Sequence, residues 1–451
     1  MSVTVPDAAW RHVPLRLDVE RWATRQVRRR VLAVVHTVTS GQRLLEAVRL
    51  LEGETRVQVV FTAAPDVFSH GVDDFLARMR ALVLPWSQAV QTEFDLALAA
   101  SHGALHELHA PVVVLSHGAG HNKFVPARAQ HTARKHTPRK HAAKKDAATK
   151  KRTATKHAST GTRVPEGAPA RDVYGLSRQR LVRDGAVIPE AIVLSHQEEL
   201  ARLGRECPEA LPAAEVVGDP CYDRIAASLP SRALYREALD VAPGQQLVLF
   251  CSTWGPRSLL GQDWELLERL TSELPREEYR VAALLHPNVW NTHGEWQIRS
   301  WLAELCRAGL AVVSQYADWR GALVAGDYIV GDHGSLSLYG TMTSAPVLMT
   351  GHPEADVDPD SPLAELCSFA YRLLPDRPLR RQLNRSAATY RPRQYERVAA
   401  RITSEPGRFA RKMRQLIYRK LRLRAPSARL RTEPARLPHT LPYEGSGALS
   451  P

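Results

Sequence analysis

A chain of 451 residues is long enough for two domains, and its 44% hydrophobic content can fill a core in each. No apolar run approaches the roughly eighteen residues a membrane helix needs, and five scattered cysteines without a C-x-x-C pair argue against a disulfide framework or a structural zinc. The net charge of +14 is uneven: residues 121–163 hold 13 Lys/Arg against one acid, residues 401–451 hold 12 against three, and the remainder carries −7. The basicity therefore belongs to two appendages. A mildly acidic body is a poor candidate for binding nucleic acid through its overall charge.

In chain order, Arg25 to Arg30 precede Val31–Val38, an apolar run interrupted by His36 and Thr37. This is too short for the core of a signal peptide and reads as a first β-strand, which makes the chain an expected cytoplasmic protein. Ser40 to Leu51 reads as a helix with Ser40 as N-cap and Leu44, Leu45, Val48 and Leu51 as its apolar stripe. Strands follow at Arg56–Ala63, Phe94–Ala100 and Val112–Leu115, with a helix near Ala104–Leu108. Strands apolar on both faces that alternate with helices predict a parallel sheet. The Val112–Leu115 strand ends in Ser116-His117-Gly118-Ala119-Gly120-His121-Asn122-Lys123, a polar, glycine-rich turn.

Residues 124–163 are mostly Ala, Lys, Arg, His and Thr, with too few large apolar side chains to offset ordering entropy, so they are expected to be disordered. His131, His136 and His141 lie five apart, a spacing that matches no metal-site pattern, and no metal is expected. Order resumes near Arg171, with strands at Ala191–Leu194 and Ala214–Val217. Val217-Gly218-Asp219-Pro220 then reads as the hinge into a second domain.

That domain repeats the alternation. Gln246–Cys251 is a strand ending in Ser252-Thr253-Trp254-Gly255, and Tyr279–Leu285 is a strand ending in His286-Pro287-Asn288. Helices are expected over Trp264–Glu273 and Trp296–Arg307, a strand at Ala311–Ser314 and a short helix at Trp319–Val324. Gly326 to Pro353 then reads as a βαβ unit: strand Asp327–Val330, turn Gly331-Asp332-His333-Gly334-Ser335, short helix, strand Pro346–Met349. Open α/β sheets bind ligands at such strand ends, and a helix starting at Gly334-Ser335 would aim backbone N–H groups at an anion. Pro378–Ile402 is helical in character. Phe409–Leu423 is a basic amphipathic helix with Phe409, Met413, Leu416, Ile417 and Leu421 on one face. It reads either as a contact to an anionic membrane surface or as a C-terminal helix packed back on the first domain. The last residues read as a loose, proline-rich tail. The expected organisation is an N-terminal extension (1–30), a first Rossmann-like domain (31–215) interrupted by the insert, a second (216–400), the basic helix (401–425) and the tail (426–451).

These motifs, in this order, resemble the two-domain GT-B fold of glycosyltransferases. More narrowly, they resemble the CDP-glycerol glycerophosphotransferases that build teichoic-acid-type polymers. The non-hydrolysing UDP-N-acetylglucosamine 2-epimerases share that fold. His117-Gly118 with Asn122-Lys123 is similar to the family's HG motif, whose histidine is the base toward the acceptor hydroxyl. Gly218-Asp219-Pro220 with Asp223 is similar to the stretch that opens the second domain, Ser252-Thr253-Trp254 to the "TW" strand end, and His286-Pro287 to the "HP" that reaches the donor diphosphate. Asp332-His333-Gly334-Ser335 is similar to the phosphate-holding "DYSS" turn.

The resemblance implies a transferase that moves a glycerophosphate-, polyol-phosphate- or sugar-type group from a nucleotide-diphosphate donor, without a metal or other cofactor. It implies His117 and His286 as catalytic residues. Gly118, Lys123, Ser252, Thr253, Asp332, His333, Gly334, Ser335 and Ser337 would bind the donor and its phosphates. The pattern departs in three places. The acid that contacts ribose four to six residues past the turn is replaced by Leu336, Ser337, Leu338 and Tyr339, which also argues against epimerase activity. His333 replaces a tyrosine or serine. Gly255-Pro256 intervene before Arg257.

The chemistry suits those residue types. Oriented donors neutralise a diphosphate's growing charge, and an imidazole can take the acceptor proton. Plainer readings stand beside them. His117-Gly118 reads as a tight turn, His286 as a strand stop before proline, and Asp332 or Ser335 as a helix cap. The basic insert reads as a polyanion or nucleic-acid tether or as a solvated loop. A non-catalytic member of the fold that binds polyanions through insert and tail is the alternative function, and the peripheral inner face of the membrane is an alternative location.

Overall fold

The structure is a computed structural model that describes residues 24–124, 172–351, 356–427 and 430–442. Residues 1–23 of the expected extension (1–30), all of the expected insert (124–163) except Phe124, and the end of the expected tail from residue 443 lie outside the described residues. Two parallel sheets form the scaffold. The first has seven strands in the order β3-β2-β1-β4-β5-β8-β9. These are β1 (Arg29–Val35), β2 (Val57–Ala63), β3 (Val83–Leu84), β4 (Leu96–Ala99), β5 (Val112–Leu115), β8 (Ala191–Leu194) and β9 (Ala214–Val216). A small antiparallel hairpin, β6 (Val182–Arg183) with β7 (Ala186–Val187), stands apart. Helices cover both faces, so the central strands are aliphatic throughout: every residue of β4, β5 and β8 is buried.

The second sheet has the order β12-β11-β10-β13-β14-β15. Its strands are β10 (Gln246–Ser252), β11 (Tyr279–Leu285), β12 (Ala311–Val312), β13 (Tyr328–Gly331), β14 (Val347–Met349) and β15 (Tyr371–Arg372). Strand order reverses direction beside β10 and β13, which are paired in register from Val248↔Tyr328 to Cys251↔Gly331. That switch point opens a crevice above the carboxyl ends of these two strands. The turns after β10 and β13 are the two polar motifs Ser252–Trp254 and Asp332–Ser335.

Two local expectations change. The first helix is Val38–Val48 and is capped by Thr37, not Ser40. The Thr37 hydroxyl accepts the Ser40 N–H at 3.1 Å, and Ser40 Oγ accepts the Thr37 N–H at 2.9 Å, a reciprocal box. The helix expected near Ala104–Leu108 is one 3-10 turn, Leu105–Glu107.

The C-terminal residues tie the molecule together. Phe409, Met413, Leu416 and Ile417 of the basic helix, Phe409–Lys420, are buried in the first domain's core with Val31, Leu44 and Leu96. Each contributes about 1.5–3 kcal/mol by burial. The apolar face is thereby occupied, which removes the membrane-surface reading of this helix. Beyond it, the expected loose tail is a correction. Residues 430–442 return to the second domain, where Ser314 N–H donates to His439 O at 3.0 Å and Leu441 N–H to Val312 O at 2.8 Å. Ala435 N–H donates to Ser228 Oγ at 2.7 Å. A proline-rich segment cannot add a helix, but an extended chain can pair with the open edge beside β12. Two carboxylates also clasp the domains: Glu46 and Asp318 each accept from both Arg224 and Arg320 at 2.7–2.9 Å. Among the described residues no helix is long and apolar enough to cross a membrane.

Candidate functional site

The turn after β5 faces the turn after β13 across the cleft, around a cavity of about 120 Å³. The first domain contributes His102, Ser116, His117, Gly118, His121, Lys123 and Tyr174, and the second His333, Gly334 and Ser335. Arg43 holds the first turn from behind: its Nε donates to Ser116 O at 2.9 Å and Nη2 to Gly118 O at 2.7 Å. The two turns touch directly, with Ala119 N–H donating to Ser335 Oγ at 3.3 Å. Gly118 is what permits this, since a Cβ there would lie 2.6 Å from Ser335 Oγ. Ser335 Cβ would stand at 3.7 Å and its hydroxyl can rotate, so Gly118→Ala should turn that hydroxyl away and break its bond to Ala119 N–H, at a cost of about 0.5–1.5 kcal/mol. Urea unfolding measures the loss, and one above about 3 kcal/mol would contradict this reading of the glycine.

Asp332, expected among the phosphate-binding residues, does not line the cavity. Its buried carboxylate accepts Thr253 N–H (2.8 Å), Thr253 Oγ1–H (2.7 Å), Leu259 N–H (2.9 Å) and Gly334 N–H (3.0 Å). It is the tie between the ends of β10 and β13. Three other residues expected to bind phosphate serve the same tie or its surroundings. Thr253's hydroxyl is committed to Asp332. Ser337 Oγ donates to Asp332 O at 2.6 Å, and Ser252 Oγ accepts Leu260 N–H at 2.9 Å. All of this is buried polar chemistry, which is stable only when satisfied. The helix behind the turn, Ser335–Gly340, is only six residues long, so little helix dipole reaches the cleft. Gly334, Ser335 and His333 remain at the cavity wall. Of the positions where the family pattern has its ribose acid, Tyr339 is buried in the core, and Leu338, also buried, lines the cavity with an apolar side chain.

The electrostatics of the cavity are one-sided. Among the described residues no carboxylate lines it. Glu199, the nearest acid to the first turn, is committed to His121 Nδ1 at 2.8 Å and to Ser195 N–H at 2.7 Å. Burial opposes its charge, but His121 and those hydrogen bonds outweigh burial and hold its pKa near 2. His117 keeps an exposed edge toward the cleft. The surrounding protein, then Arg43, His121 and Lys123, lower its pKa to about 4. Tyr174 stands edge-on to it at 6.1 Å. His333 falls to about 4 through burial and Lys123, and its Nδ1 is buried without a partner. His102 falls to about 3, chiefly by burial, and its Nε2 is likewise unpartnered. Lys123 is lowered by burial, against the pull of Asp332 and Asp356. Arg257, paired with Asp356 at 2.5 Å, adds its charge from the rim.

His286 stands beside this cavity rather than in its wall. Its Nδ1 accepts Asn288 N–H at 3.1 Å and so caps the Pro287–His293 helix. The ring proton is then on Nε2, which meets Thr39 Oγ1 of the first domain at 3.3 Å. Burial, His117 and Lys123 lower its pKa to about 3. The sequence reading of His286 as a strand stop before proline did not include this cap, which fixes a donor N–H toward Thr39 at the cleft. The Trp254 ring beside it, 6.3 Å away, packs on Phe68 of the first domain at 4.5 Å.

The architecture is shared with solved structures. The fold is that of the wall teichoic acid polymerase TagF. A TagF structure soaked with CDPG aligns over 88% of this chain and 90% of its own, with a TM-score of 0.54 and 11% identity. TagF without that soak aligns over the same shares, at TM-score 0.53 and 9% identity. An S. aureus MnaA–UDP structure covers 88% of this chain and 99% of its own, at TM-score 0.48 and 11% identity. No protein-family model and no curated protein matches the sequence. At this identity the likeness establishes the GT-B fold, two Rossmann-like domains facing a cleft.

Several site residues gave no signal in the sequence. Arg43 lies in a helix that reads as merely amphipathic, and its partners come from two distant segments, 116–118 and 219–221. His102 follows an ordinary strand, and Tyr174 sits just past the basic insert. Arg257 was visible only as a displaced member of the Thr253-Trp254 motif. Among the described residues no group of three His, Cys, Asp or Glu could hold a metal ion.

Proposed function

We propose that this chain is a transferase. It moves a glycerophosphate-, polyol-phosphate- or sugar-type group from a nucleotide-diphosphate donor, with a CDP-linked donor first among candidates, to a hydroxyl acceptor. The observation that carries the reading is the cavity itself. It joins the histidine turn of one domain to the turn after β13 of the other, and among the described residues it is lined by imidazoles, an ammonium and hydroxyls without a carboxylate. Such a lining suits a phosphate-bearing substrate. In this reading the neutral His117 takes the acceptor proton as the acceptor oxygen attacks. With a CDP-polyol donor the acceptor oxygen bonds to the distal phosphorus, the P–O bond to the inner phosphate breaks, and its electron pair stays on the bridging oxygen of the departing CMP. With a nucleotide-sugar donor the anomeric C–O bond breaks and the nucleoside diphosphate departs with the pair. Lys123, Arg257 and the His286 Nε2–H neutralise that charge, and closure of the cleft excludes water. TagF's CDPG soak favours CDP over UDP as the first donor to try.

The histidines supply a test with a definite sign. CDP-glycerol and UDP-glucose are diphosphate diesters that do not titrate near neutrality, so protons exchanged on binding belong to the protein. A bound anion raises the depressed pKa values of His117, His286 and His333, so binding should take up protons and strengthen as pH falls from 7 toward 5. Isothermal titration in buffers of different ionisation enthalpy measures this. Folded protein that binds neither donor across that range would overturn the reading, and net proton release would overturn its electrostatics.

A further inference from the structure

One buried carboxylate lies behind the cleft and touches three parts of the chain. Asp219, at the hinge, is fully buried. Its Oδ1 accepts Tyr222 N–H at 2.7 Å, capping the Pro220–Ser228 helix. Its Oδ2 accepts Arg43 Nη2 at 2.5 Å and the Tyr339 hydroxyl at 2.9 Å. Arg43 in turn holds the carbonyls of Ser116 and Gly118, on either side of His117. Tyr339 lies one helical turn beyond Ser335, in the same short helix, with its ring against Trp319 at 5.5 Å. A continuous hydrogen-bonded path thus runs from the backbone around His117 to the helix that carries Ser335, without entering the cleft.

We propose that Arg43, Asp219 and Tyr339 are positioning residues that set the His117 turn and the Ser335 helix at working distance from each other, with Asp219 as the fixed point. The proposal rests on the transfer reading for its catalytic consequence only. A merely stabilising contact would not need these groups. Burying a charge pair costs desolvation that apolar packing of the same volume avoids, whereas a satisfied polar network fixes one register. Placement at the hinge matters as well. Contacts to a pivot survive opening of the cleft, while the Ala119–Ser335 bond across the cleft does not have to.

Tyr339→Phe removes one hydroxyl and keeps the ring. Two measurements on the full chain decide the matter: amide hydrogen exchange by mass spectrometry, and kcat with donor Kd for transfer. Loss of a hydrogen bond to a buried charge predicts about ten-fold faster exchange in peptides spanning 116–122 and 333–341, with the β10 peptide unchanged. The same variant should lose about ten-fold in kcat, with donor Kd within about two-fold of the parent. Asp219→Asn should give the same pattern with larger losses; should that variant fail to fold, Tyr339→Phe still decides. Unchanged exchange at 116–122 overturns the relay, as does faster exchange with unaltered kcat. If the parent protein binds no diphosphate donor, the transfer reading has failed, and the exchange result alone judges the relay.

Discussion

Asp332→Ala should destabilise the second domain by about 3–6 kcal/mol, among the largest effects of any single substitution near the cleft. The side chain receives three backbone N–H groups and one hydroxyl, and it is buried. Truncation strands those donors where water cannot easily reach, at about 1–3 kcal/mol for each buried group left unpaired. Asp332→Asn should recover only part of the loss, because its amide NH₂ would face donors. Urea unfolding followed by tryptophan fluorescence measures the change, since Trp290 is buried in that domain's core. A loss below about 1 kcal/mol would mean that solvent or a shifted loop replaces the carboxylate with ease, contrary to its present burial. The result bears on function because the same carboxylate shapes both strand ends that face the cavity.

His117→Ala should leave the fold and donor affinity nearly intact but lower the transfer rate by about 10²–10⁴-fold, the usual worth of a positioned general base. The imidazole sits in the cavity wall, carries no fold-wide hydrogen-bond network of its own, and is neutral at pH 7. The pH profile gives a second check. Only the neutral ring can accept a proton, so the parent's rate should hold through neutrality. It should fall on the acid side, below 6.5, as the ring is protonated. Its free-state pKa near 4, raised by a bound anion, sets where that limb lies. A variant that keeps the parent's kcat, or a parent whose kcat at saturating donor rises as pH falls through that range, would remove His117 from the chemistry.

The two-domain α/β architecture was legible because parallel strands buried on both faces write themselves as aliphatic runs, and their carboxyl ends as polar, glycine-rich turns. Val112–Leu115 and Tyr328–Gly331 both followed that rule. So did the hinge at Asp219-Pro220, where a capping acid precedes proline at the first turn of a helix. Individual site side chains took their roles from partners outside their own segments. Asp332, Ser252, Thr253 and Ser337 look like ligands in a linear motif, yet each hydroxyl or carboxylate is spent on a neighbouring backbone or side-chain group. Which lone pairs remain free depends on β10 and β13 lying side by side, and no local pattern records that pairing.

Side-chain periodicity within single segments was enough to read the central strands, the order of the motifs and the apolar face of the Phe409–Lys420 helix, whereas the two-residue strands β3 and β15 and the strand orders left no such trace. Only the tertiary structure decided what that face covers, where the tail pairs, why Gly118 has no side chain, and which polar groups look into the cleft. Those outcomes depend on contacts between segments as far apart as Arg43, Asp219 and Tyr339. The energy of such contacts comes from burial and from exclusion of water, which exist only once the domains have met.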